Sequence, residues 1–231
     1  MENMKTKKVI IIGAGETATL AYEYFTYDSD YEVVAFSVNK VYRSVDTFLN
    51  LPVVDFENLE NQFNMEDYFV FVALAGEKLN RNRTKLYQEC KKKGFKIASY
   101  ISSKAFVWHN VQIGENCFIL ENNVLQPFTV VGNNVTMWSG NHLGHRSIIK
   151  DNCFITSHVV ISGFCEIGEN TYIGVNSCIA DNVKIGCDNY IAMGSSINKN
   201  TKSNSMFSSD HSKNLKLNTL EVFDVEDKQN G

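Results

Sequence analysis

The 231 residues are 44% hydrophobic and 21% charged, which suits one or two soluble domains with a real core. A formal net charge of −4 leaves no basic patch for nucleic acid. No apolar run approaches the length that spans a membrane.

Residues 1–15 are basic and then apolar, but the apolar run is short and leads into a glycine turn, so they read as a first strand and not as a signal peptide. A strand at 8–12 precedes the turn Gly13-Ala14-Gly15-Glu16-Thr17-Ala18, which opens a helix through Leu20 and Tyr24. Further strands are expected at 32–36, 51–54 and 68–75. A helix at 78–93 sets Leu79, Leu86 and Cys90 on one face and ends at Gly94, before a strand at 95–101. This alternation predicts an α/β Rossmann-like domain over residues 1–100, with a small doubly wound sheet.

The glycine turn fits the dinucleotide pattern and aims main-chain N–H groups at a phosphate. A dinucleotide site also wants an acid at the end of the second strand, and here that strand ends Ser37-Val38-Asn39. A mononucleotide or nucleotide-linked sugar is therefore favoured over NAD, with Gly13, Gly15, Glu16, Ser37 and Asn39 as contacts. A turn kept only for packing is the competing reading. Arg81 and Arg83 follow the fourth strand on the ligand-binding rim, where they read either as a diphosphate clamp or as a solvated helix start.

From Ile101 to Ile197 every sixth residue is aliphatic, seventeen times without an insertion. The fifth place of each six is small or short, and glycine often follows the aliphatic residue. A period of six fits neither a helix nor a hairpin, but it fits a solenoid whose short strands alternate with corners. Three sixes make one coil, so residues 18 apart stack roughly 4.8 Å apart. His145 then occupies a corner, in the column His109, Pro127, His145, Gly163, Asp181, Lys199. Asn123 and Asn141, inward and 18 apart, read as a hydrogen-bonded core ladder. His142 faces outward and reads as a lining residue of an acceptor pocket. Phe128, Trp138, Val160 and Phe164 project outward and are too apolar for a monomer's surface, which predicts association between copies. The six cysteines lack metal-type spacing and read as reduced thiols of a cytoplasmic protein. His109 stands two coils from His145, a spacing that resembles the hexapeptide carbonic anhydrases; that resemblance puts the remaining zinc ligand at Lys150, which cannot serve beside a metal, so no metal site is assigned.

The hexapeptide run resembles the all-β left-handed parallel β-helix of hexapeptide acyltransferases. With the preceding α/β domain, residues 7–202 resemble sugar O- and N-acyltransferases of the sialic acid O-acetyltransferase type. The resemblance implies a trimer with active sites between subunits, acetyl-CoA as co-substrate and a nucleotide-linked sugar on the N-terminal domain. It makes His145 the general base, and Gly163 the residue whose N–H meets the thioester oxygen. Acetyl-CoA then runs past Gly163, Asp181, Lys199 and Lys202. Three departures stand out: Arg146 replaces the acid that usually follows the histidine, the usual glycine-proline-alanine ending after Lys202 is missing, and no acid follows the second strand. The resulting expectation is acetyl transfer to the amino group of a nucleotide-linked sugar, in synthesis of a surface polysaccharide or glycan. O-acetylation of a sialic-acid-like sugar and a non-catalytic binding trimer are the alternatives. The solenoid is bounded at 101–202, and 203–231 reads as a polar tail with a Ser208–Ser212 cluster and an edge strand or docking helix at 215–225.

Overall fold

The computed structural model describes residues 5–209 and Val222. The N-terminal unit is an open sheet of order β3-β4-β2-β1-β5-β6, built from β1 (Lys7–Ile12), β2 (Tyr31–Val38), β3 (Thr47–Phe48), β4 (Leu51–Asp55), β5 (Tyr68–Val72) and β6 (Lys96–Ile97). All pairings are parallel except β3 with β4, a hairpin whose turn places Leu49 and Asn50 at positive φ. Alternation along β1 splits the core in two. Val9 and Ile11 pack under helix α1 (Glu16–Tyr27), whereas Ile10 and Ile12 pack with α2 (Leu59–Gln62) and α3 (Arg81–Lys92).

Helix α3 begins three residues later than expected, because Lys78, Leu79 and Asn80 all take left-handed conformations. Such a run costs roughly 1–2 kcal/mol per residue. It is held by Asn80, which is wholly buried and donates from Nδ2 to Asn152 O at 2.5 Å.

The rest of the described chain is a three-sided parallel β-helix whose strands pair at an offset of 18 residues, as Phe118 with Thr136 and Val124 with His142. From Val107 on, the aliphatic residue of each six lies inside, and from Ile119 to Ile197 all are buried. Each contributes roughly 1.5–3 kcal/mol. The short fifth residue has a polar task as well: Cys117, Ser147, Cys153 and Ser177 each bond a main-chain carbonyl of the next coil. Asn123 and Asn141 do not form the expected ladder; each turns its Nδ2 onto main-chain carbonyls, including that of Leu120 or Trp138. The solenoid also runs past 202, since Met206–Phe207 pairs with Tyr190–Ile191. The stretch at 215–225 lies outside the described residues, Val222 excepted.

The N-terminal unit covers one face of this prism, the one carrying Tyr100, Phe118, Thr136 and Phe154. An aromatic cluster joins them, with Phe25–Phe71 at 5.0 Å, Phe71–Phe118 at 5.3 Å and Tyr24–Tyr100 at 5.1 Å.

Candidate active site

Three corners separate the three faces. Two of them flank the covered face, and the N-terminal unit reaches both. Tyr24 Oη donates to Glu121 on one. On the other, Asn116, Asn134 and Asn152 form an amide ladder, with Asn116 Nδ2 to Asn134 Oδ1 at 2.8 Å and Asn134 Nδ2 to Asn152 Oδ1 at 2.9 Å. Asn116 Oδ1 accepts the N–H of Val72 at the end of β5.

Helix α3 lies along that ladder, which overturns the reading of its arginines as a diphosphate clamp. Arg81 pairs with Asp188 of the β-helix. Arg83 is 2% exposed, donates to Thr136 Oγ1 and Asn134 O, and lies 5.8 Å from the Phe154 ring centroid. Thr136 stands between Phe118 and Phe154 in its column and leaves the slot the guanidinium fills. Burial draws the Arg83 pKa down to about 10, so it stays charged at neutral pH. Both arginines hold the two units together, and neither lines a cavity described below.

A cavity of about 570 Å³ opens at the carboxyl ends of β1 and β2, lined among others by Gly13, Ser37, Asn39, Tyr42, Glu77 and Lys85. Of the expected substrate contacts, it gathers Gly13, Ser37 and Asn39. Gly13 has a packing reason as well, since a Cβ there would stand 2.8 Å from Ala73 O. Gly15 and Glu16 lie outside the lining, at the cap of α1, where a Cβ on Gly15 would meet nothing within 4 Å. First-turn amides have no intrahelical acceptor, so this helix start has room and donors for an anion. Tyr42 escaped the sequence reading; it is 77% exposed and stands on the cavity wall, and its aromatic side chain just past Asn39 was the available signal. An acid missing from the end of β2 arrives from elsewhere, because Glu57 accepts from Asn39 Nδ2 and Lys40 N.

His145 stands on the third corner, opposite the covered face and outside that cavity. Its ring lies over Gly163, one coil away: a Cβ on Gly163 would be 2.7 Å from Cε1 and 3.0 Å from Nε2. Phe164 meets the ring edge-on at 5.0 Å. Gln126 Oε1 accepts the His145 main-chain N–H at 2.9 Å and stands 3.4 Å from Nδ1. Arg146 turns away, its guanidinium 4.6 Å from the Phe128 ring centroid. His142 is half-buried in the strand just before this corner.

One expectation meets an obstacle. The Gly163 N–H, read as a donor to the thioester oxygen, donates instead to Asp181 Oδ1 at 2.8 Å. The same contact caps Glu115 through Asn133 and Asn133 through Asp151, so it is a general corner device of this solenoid. Lys199 and Lys202 are exposed beyond Asp181 and form no ion pair among the described residues. Their charge fits the phosphates of a CoA ester. Burial pushes the Cys117 and Cys153 thiols up to about 12, so neither is a nucleophile. Lys150, at the position where a zinc ligand was sought, pairs with Glu166 at 2.5 Å.

Of the outward apolar residues, Phe128, Val160 and Phe164 are 55%, 44% and 51% exposed, and all lie at the His145 corner or the face before it. Trp138 does not join them, because it packs against the N-terminal unit.

No protein-family model matches the chain. Among solved structures it is similar to the acetyltransferase domain of PglB from Neisseria gonorrhoeae, at TM-score 0.76 and 23% identity over 87% of this chain and 96% of that one. It is also similar to PerB from Caulobacter crescentus, solved with CoA and GDP-perosamine, at TM-score 0.75 and 22% identity over 86% and 92%. WeeI from Acinetobacter baumannii matches at TM-score 0.56 and 20% identity over 87% and 96%. The likeness runs through both units, and the chain shares the fold of these proteins.

Proposed function

We propose that this protein transfers acetyl from acetyl-CoA to the amino group of a nucleotide-linked sugar, and that His145 takes the proton as the amine attacks. The observation that carries this reading is the His145 imidazole laid against Gly163 on an open corner of a β-helix that bears a cavity-forming α/β unit. A PglB acetyltransferase domain and PerB, with GDP-perosamine in its crystal, have the same architecture. No carboxylate bonds Nδ1 of His145 among the described residues, which favours an amine acceptor over a less nucleophilic hydroxyl. In the attack the amine adds to the thioester carbonyl, His145 accepts the amine proton, and the thiolate of CoA leaves. The Gly163 N–H takes up the negative charge on the carbonyl oxygen once Asp181 has released it.

The cavity and His145 lie on opposite sides of the prism in one chain. The sugar held by the N-terminal unit, which we read as Rossmann-like, therefore reaches the His145 of another copy. A homotrimer of left-handed β-helices packed on the exposed Phe128, Val160 and Phe164 supplies that arrangement. The reduced thiols fit a cytoplasmic enzyme, and the acceptor fits synthesis of a surface polysaccharide or glycan. Light scattering tests the assembly, and a monomer removes the shared site. UDP-, GDP- and dTDP-linked amino sugars, screened for binding and then for thiol release from acetyl-CoA, test the chemistry. The Asp181 contact favours a second reading, a scaffold that binds nucleotide sugar without turnover. Binding with no thiol release selects it.

A further inference from the structure

We infer that Gln126 is the positioning residue of His145, and that it selects the imidazole tautomer with the proton on Nδ1. The inference rests on the reading of His145 as a base and adds the group that prepares it. The amide orientation follows from the main chain. An N–H can only donate, so the Gln126 atom 2.9 Å from His145 N is an acceptor, the carbonyl Oε1. The same Oε1 stands 3.4 Å from Nδ1. Two acceptors do not bond, so a neutral ring satisfies this contact only with its proton on Nδ1. Nε2 then carries the lone pair, as a general base requires.

The remaining contacts hold the ring in that pose. Gly163 leaves room beneath it, and Phe164 abuts it edge-on. The neighbouring cation does not compete, because Arg146 lies over Phe128. Gln126 sits nineteen residues before His145, one place off the vertical column, and reaches up to the next coil (145 − 126). The task that a carboxylate on Nδ1 would perform falls here to a neutral amide. A neutral amide orients the ring without adding a charge beside it, which suits an amine acceptor.

The test begins on the full-length protein without substrate. With histidine labelled in 15N, long-range 1H–15N correlation above the imidazole titration reports each tautomer, and His145→Gln identifies the His145 signals. The expected result is Nδ1–H for His145 in the native protein and a shift toward Nε2–H in Gln126→Leu, with an unchanged melting curve. A native Nε2–H ring, or a tautomer indifferent to Gln126→Leu, overturns the inference whether or not the protein turns over any sugar. Gln126→Glu keeps the acceptor and adds charge, so it should retain Nδ1–H and raise the His145 pKa. On an active acceptor, Gln126→Leu should lower kcat about 10–100-fold with little change in KM. Gln126→Glu should restore kcat and move the acid limb of the profile to higher pH. A Glu variant as impaired as the Leu variant, with an unshifted limb, counts against positioning. Absence of turnover in the native protein, with the tautomer result intact, removes the proposed reaction and leaves the Gln126 contact standing.

Discussion

Two corners of the β-helix share one backbone and carry opposite chemistry. In both, the fourth residue of most sixes takes a left-handed conformation. Along the corner against α3 these residues are Asn116, Asn134, Asn152, Asn170 and Asp188, types for which that conformation is cheap. Along the His145 corner three successive ones are Phe128, Arg146 and Phe164, at φ +64°, +57° and +56°. Bulky residues there cost roughly 1–2 kcal/mol each. The first corner packs internally, through its amide ladder and against α3. The second keeps strained, exposed side chains around a histidine, and strain retained in a fold clusters where function needs it.

The largest difference between the two corners should come from His145→Ala. Loss of the proposed base should cut kcat by about 10²–10⁴, with acetyl-CoA and nucleotide-sugar affinities within a few-fold. Retained activity moves the base elsewhere, and His142 is the first residue to examine.

On the structural corner, Arg83→Ala should have a large effect of another kind. It leaves a hole beside Phe154 and strips partners from Thr136 and Asn134, which should cost roughly 2–5 kcal/mol. Calorimetry is expected to show the N-terminal unit melting ahead of the β-helix. An unchanged single transition means that the latch lies elsewhere.

Gly163→Ala tests the contact between His145 and the glycine while keeping both the imidazole and the main-chain N–H. Its methyl group would stand 2.7 Å from His145 Cε1, so the ring must shift. Displacement on the scale of 1 Å costs about 10²-fold in rate. Single-turnover rates near those of the native protein show that the ring has another productive position.

The smallest effect is the most informative about the oxyanion. Asp181→Ala frees the Gly163 N–H, and kcat/KM for acetyl-CoA should rise by a few-fold, in line with about 1 kcal/mol for one hydrogen bond. A fall in kcat/KM, measured by thiol release, gives Asp181 a holding role and takes the donor role from Gly163.

The pairing of His145 with Gly163 was legible because strict periodicity converts spacing into height: residues 18 apart in sequence are neighbours in space. The same rule located the inward aliphatic residues and the corners. It missed Gln126, which reaches its partner from an adjacent position, and it misassigned Trp138, whose exposure depends on what docks there. In the N-terminal unit the strands and the glycine turn were readable from local pattern. The late start of α3 was not, because the residue at its cap, Asn80, bonds Asn152 of the β-helix, 72 residues away.

Spacing along the chain is enough to specify the solenoid, its register and the column that holds the histidine, since each depends on residues a fixed distance apart. Packing between distant segments sets the rest: Arg81 and Arg83 join the two units instead of lining a ligand site, Asp181 occupies the Gly163 N–H, and His145 faces away from the cavity of its own chain. Those outcomes depend on which face of the prism the N-terminal unit covers, and that choice is made by side chains far apart in sequence: Phe25 and Phe71 against Phe118, and Arg83 in the slot left by Thr136.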